Sequence, residues 1–220
     1  TFFDSPINIF YSRRIGDRIN YFDNNNNYKN EQSNFNSAIR FIGNDNNWDY
    51  GFLITQSEIE SNDDLDIYHG VFRMQTNVLN NNSRIGFMNT YYEFNGFKNY
   101  VYSLDFSLDL FDNKSYLDGQ IVTSDSYQEE GRGINIEYGY LYPLSTNGKM
   151  EFWIKNEHYN KTLDINKTGY LFRNNLNLYN SGLSISKYLS NKSIKEYIFS
   201  IQYNNSQNDN GELLSSNFLT

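Results

Sequence analysis

Two adjacent arginines beside a glycine, in Tyr11-Ser12-Arg13-Arg14-Ile15-Gly16, are the clearest chemical signal in the chain. They follow the apolar run 7–10, and paired guanidinium groups could clamp a carboxylate or a phosphate, or pair with interior acids. The plainer reading is an ordinary strand end with solvated or salt-bridged arginines. Ser12, Arg13, Arg14 and Gly16 are therefore the candidate motif, with no role assigned. His69 and His158 each lack a second His or a Cys nearby, so the usual metal-ligand spacing is absent. They read as polar-face or strand-end residues. Asp45, Asn47, Asp49 and Gly51 faintly resemble a calcium loop, but the Gly comes one place late and Gln56 stands at the twelfth position. That stretch reads as a turn. Asp63, Asp64 and Asp66, and the pair Glu129 and Glu130, read as solvated loop charges. Gly131-Arg132-Gly133 is too short for a phosphate loop, and there is no Gly-x-Ser-x-Gly elbow or dinucleotide fingerprint. No catalytic, cofactor or metal residue follows from these patterns, and a non-enzymatic protein is expected.

The elements that must position these residues follow from composition and periodicity. The 220 residues include 20 Tyr, 17 Phe, 2 Pro and no Cys, with roughly three dozen Asn. Absent cysteine removes disulfide scaffolds, thiol nucleophiles and cysteine-type zinc sites. A net charge of -8 and a pI near 4.8 argue against a nucleic-acid surface, whose footprint is basic. Apolar runs are far shorter than the roughly 20 residues of a membrane-spanning helix.

Period-two alternation dominates instead. Tyr100, Tyr102, Leu104, Phe106, Leu108 and Leu110 share one face, against Ser103, Asp105, Ser107 and Asp109 on the other. Ile134, Ile136, Tyr138, Tyr140 and Tyr142 repeat the pattern, as do Tyr197, Phe199, Ile201 and Tyr203. Further strands are expected at 34–43, 48–58, 66–78, 84–94, 115–126, 149–159, 175–189 and 211–219. Turn-formers separate them at 80–83, 95–96, 112–114, 146–148 and 190–192. The class is all-β, an antiparallel meander of long strands. Strands of about 10 to 13 residues exceed the usual 5 or 6 and match the 9 to 11 of a tilted bilayer-crossing strand. One face would meet lipid, the other a water-filled lumen. Tyr91, Tyr92, Tyr100, Tyr140, Tyr142 and Tyr203 could form an interfacial girdle, although tyrosine is also simply a good strand former. A mean hydropathy of -0.72 is compatible, because only half of each strand faces lipid.

The opening stretch, Phe2-Phe3-Asp4-Ser5-Pro6-Ile7-Asn8-Ile9-Phe10-Tyr11 with Ser12-Arg13-Arg14-Ile15-Gly16, resembles the hallmark of a Bacteroidota outer-membrane β-barrel domain of unknown function. Later blocks resemble it in order. These are Ala38-Ile39-Arg40-Phe41-Ile42-Gly43 with Gly51-Phe52-Leu53, then Ser83-Arg84-Ile85-Gly86 ahead of Leu104-Asp105-Phe106, then the stretch from Asp164 to Asn175 around Thr168-Gly169-Tyr170. In that family the barrel follows a β-sandwich resembling family-nine carbohydrate-binding modules. The resemblance implies an outer-membrane location, lipid as partner, and glycan contact through an upstream module. It implies no activity. Residues 1–220 are then expected to be a partial barrel domain, lacking that sandwich and the final strands.

Two rival readings remain at this level. One is a soluble β-sandwich carbohydrate-binding module using tyrosines, Trp48 and Trp153 as stacking platforms. The other is a glycoside hydrolase working through polar-face acids.

Overall fold

The computed structural model describes residues 2–23, 25–59, 62–79, 82–127, 129–189 and 195–220, with the side chains of 62–64 also set aside. The first half of the expected turn at 80–83, the expected turn at 190–192, and the charges of Asp63 and Asp64 lie outside the described residues. Among the described residues, twelve strands form one antiparallel sheet in sequence order. They are β1 (Arg18–Phe22), β2 (Tyr28–Asp45), β3 (Trp48–Ile59), β4 (Asn62–Asn77), β5 (Arg84–Phe94) and β6 (Phe97–Leu110). The second half continues with β7 (Ser115–Ser126), β8 (Glu129–Ser145), β9 (Gly148–Tyr159), β10 (Leu176–Tyr188), β11 (Glu196–Gln207) and β12 (Leu213–Leu219). The all-β meander is thus as expected. The sheet is open: β1 pairs with β2 and β12 with β11, and the two do not pair with each other.

Directly opposed residues of an antiparallel pair share a face, so the register assigns every side chain. One outward row runs Tyr50, Met74, Phe87, Leu104, Ile121 and Ile134 across β3–β8. A second runs Leu108, Leu117, Tyr138, Ile154, Ser181, Tyr203 and Phe218 across β6–β12. Aromatic neighbours touch on this outward face, as Phe41 with Phe52 at 5.8 Å and Tyr203 with Phe218 at 5.0 Å between centroids. The outward charges of β3–β11 fall near strand ends: Glu58, Asp66, Glu93, Lys98, Asp125, Glu130, Arg132 and Lys187. Between those ends the outward positions are apolar, aromatic or neutral.

The inward rows differ in kind. One reads Gly86, Asp105, Gln120, Asn135 and Glu157 across β5–β9. The next reads Met88, Ser103, Val122, Gly133 and Tyr159. Small and apolar residues appear there because something packs on them. The core is formed by Val71, Met88, Val101, Val122 and Tyr159 together with Phe3, Ile7, Ile9, Phe10, Leu163 and Ile165, none of which lies on a strand except the first five.

Tyr91 and Tyr100 face outward with centroids 5.0 Å apart. Tyr92 instead faces inward and is buried, packed with Ile59, Ile67 and Phe94. Adjacent strand residues point to opposite faces, so Tyr91 and Tyr92 cannot both belong to an outer girdle. Glu129 and Glu130 open β8 rather than lying in a loop, and Glu130 sits 3.6 Å from Arg132.

Candidate functional site: a plugged interior

The concave side of the sheet is filled by two segments of the chain itself. Residues 2–17 and the 160–175 connection between β9 and β10 pack against that face and against each other. A water-filled lumen was the expectation; along the middle of β4–β8 the interior is packed protein. The reason is visible in the sequence of the two segments: Ile7 and Ile9, and Leu163 and Ile165, supply apolar groups that would otherwise face water.

Polar inward residues of the strands satisfy the backbone of these segments, as buried polar groups must. The Ile7 N–H donates to Gln120 Oε1. Asn99 Nδ2 donates to the Asp164 carbonyl at 3.1 Å, and the Asp164 N–H donates to Ser124 Oγ at 3.0 Å. Thr168 Oγ1 donates to the Ile9 carbonyl at 3.1 Å. Its contact of 2.7 Å with Thr90 Oγ1 is then one in which Thr90 is the donor. The polar face read as lumen lining is, in this region, the binding surface for the plug.

The two segments also bind each other. Tyr11 N–H donates to the Thr168 carbonyl at 2.7 Å, and Tyr170 N–H to the Asn8 carbonyl at 2.8 Å. Between these bonds lies Gly169. A Cβ there would sit 2.3 Å from the Asn8 carbonyl oxygen and 2.7 Å from Ile9 backbone. Gly131 on β8 plays the same part beneath Leu163, whose Cα would lie 2.3 Å from an added Cβ.

The Ser12, Arg13, Arg14 and Gly16 motif lies at this junction. It is a single 3₁₀ turn, Ser12–Arg14, and not a strand end. Arg14 Nε donates to the Gly169 carbonyl at 3.1 Å, and Arg14 Nη1 reaches Asp17 at 3.3 Å. Arg13 lies over the Tyr11 ring at 5.9 Å, and the Gly16 carbonyl accepts from Gln32 Nε2. Gly16 has φ +78°, the left-handed region that favours glycine. The motif therefore ties the entering segment to the 160–175 connection and to β2.

The two larger cavities beside the plug differ in lining. One of 430 Å³ lies at the end of the sheet where β1 curls over the turn at Asn95, bounded by Arg14, Tyr21, His69, Tyr92, Phe97 and Lys167. We call this end the mouth. The other, of 550 Å³, lies on the far side among Asp4, Arg73, Arg84, Asp105, Asp118 and Lys155. There Arg73 and Asp105 form a two-pronged pair with both contacts at 2.8 Å, almost wholly buried.

The structure separates the remaining candidates. His69 faces inward against Tyr92, whereas His158 faces outward and binds Asn177. Trp48 faces outward and Trp153 inward, over Gly182, so they do not form one stacking platform. Asn46 and Asn47 make the β2–β3 turn, with Asn46 at φ 51°. Among the described residues no group of three or more His, Asp or Glu is arranged to hold a metal ion. Tyr21, Phe97 and Lys167 were not singled out from the sequence, because only the fold of β1 over the mouth brings them near His69. No protein-family model, curated protein or solved structure matches the chain.

Proposed function

We propose that the chain is part of an outer-membrane β-barrel, its outward face against lipid and its interior closed by its own N-terminal and 160–175 segments. The observation that carries this reading is the uncharged outward belt of β3–β11, with charges confined to strand ends. On β6 that belt extends from Tyr100 to Leu110. At about 3.3 Å per residue this is about 33 Å along the strand. A tilt of about 40° brings it to about 25 Å, the height of a barrel's apolar band. A soluble protein exposing such a surface would aggregate or need a partner to cover it.

The role is structural or envelope-related, with glycan uptake or binding reached through an upstream module, and no reaction is assigned to residues 1–220. The soluble-sandwich reading has less support, because all twelve strands belong to one sheet rather than two packed sheets. The test is solubility and bilayer partition. The full chain should require detergent, float with liposomes, and migrate differently on gels before and after heating. A monodisperse protein in plain buffer that ignores liposomes contradicts the proposal.

A further inference from the structure

The mouth cavity combines three chemistries in 430 Å³, a volume typical of small-molecule sites. Its floor is aromatic: Tyr92 and Phe94 are buried, and Phe97 meets Tyr92 edge-on at 6.2 Å. Its charge is positive, with Arg14, Arg18 and Lys167 against the single carboxylate of Asp17, in a chain whose net charge is -8. Asp17 is engaged by Arg14 at 3.3 Å. Lys167 stands over the Phe97 and Tyr92 rings at 5.2 and 5.8 Å and has no ion-pair partner among the described residues. Finally, His69 is 3% exposed, lines the cavity, and its imidazole makes no hydrogen bond among the described residues. A buried polar atom bordering a cavity calls for a partner from within it.

We propose that this cavity binds a uronic acid sugar. Lys167 and the nearby arginines hold the carboxylate, the Phe97 and Tyr92 edges cover the sugar's C–H face, and the His69 imidazole and Asn95 take ring hydroxyls. The alternatives each leave something unmatched. A neutral sugar gives Lys167 no counter-ion. Inorganic phosphate leaves the rings uncovered. An aromatic acid such as benzoate leaves His69 and Asn95 without partners.

The proposal is independent of the membrane assignment and is tested by titrating the full chain in detergent micelles. D-glucuronate, D-glucose, benzoate and inorganic phosphate are compared by calorimetry or saturation-transfer NMR. Glucuronate should bind at least about tenfold more tightly than the other three, each of which forgoes at least one of these contacts. Lys167→Met keeps the side-chain stem and should weaken glucuronate binding about tenfold, with far-UV circular dichroism unchanged. Should Lys167→Met lose that spectrum, Arg18→Gln replaces it, with the same expected loss. Equal binding of glucose, benzoate or phosphate, no binding of glucuronate, or unchanged affinity in the folded variant overturns the proposal.

Discussion

Arg73 on β4 reaches across β5 to Asp105 on β6, and their two-pronged contact passes directly above Gly86. A Cβ on Gly86 would lie 2.9 Å from Asp105 Oδ1 and 3.1 Å from Arg73 Nη2. Gly86 and Asp105 face each other across β5 and β6, and the structure gives them one shared purpose. The missing side chain makes room for a buried ion pair.

Breaking that pair should be costly. Arg73→Met leaves the Asp105 carboxylate buried without its partner and should destabilise the chain by about 3–5 kcal/mol. The double variant Arg73→Met with Asp105→Leu should recover much of the loss. Urea unfolding of each variant in micelles measures both. Equal destabilisation by the single and double variants would argue that the pair's charge is irrelevant.

Gly169→Ala should undock the N-terminal segment, because the added methyl meets Asn8 and Ile9 backbone rather than a side chain that can swing away. Overpacking of this kind costs about 1–3 kcal/mol. Trypsin should then cut after Arg13 or Arg14 roughly tenfold faster or more, since cleavage tracks the population of the opened state. An unchanged cleavage rate would show that the segment is not held at Gly169.

Gln120 is fully buried, and its Oε1 accepts the Ile7 N–H. Gln120→Leu fills similar space but leaves that donor unmet, so it should cost about 1–3 kcal/mol. Hydrogen exchange at the Ile7 amide should accelerate in the variant more than exchange at amides of β11.

The turn between β1 and β2 carries a pH dependence. Donation from the Asn27 backbone N–H and then its side chain to Asp23 holds that carboxyl below its ordinary range. A lowered folded value means the bonds favour the ionised form. Their contribution is present above the ordinary Asp value of about 3.9 and is lost as pH falls through the lowered one. An NMR titration should place the Asp23 midpoint below the ordinary value, and Asn27→Ala should move it back up.

Much of the sheet is legible in the sequence because one face of each strand repeats every second residue. The expected limits of β5 and β7, 84–94 and 115–126, coincide with the observed ones. β2 begins at Tyr28 rather than residue 34 because Tyr28–Gln32 pairs with β1 at the mouth. That largely polar stretch shows no apolar alternation. The plug was not legible. Ile7, Ile9, Leu163 and Ile165 each look like strand fragments too short to extend, and nothing local says they meet inside a sheet. Gly131 offered a signal, since it lies within a strand rather than in a turn. Arg14's contact with Gly169 joins residues 155 positions apart, beyond reach of any motif spacing.

The two native tryptophans give the sharpest test of lipid contact, because Trp48 is outward and 44% exposed while Trp153 is inward over Gly182. Trp153→Phe and Trp48→Phe each leave a single fluorophore for reconstitution into bilayers of lipid brominated close to the headgroup. Trp48 should be strongly quenched and Trp153 should not. Equal quenching of both, or quenching of Trp153 alone, would contradict an outward lipid-facing belt around a plugged interior.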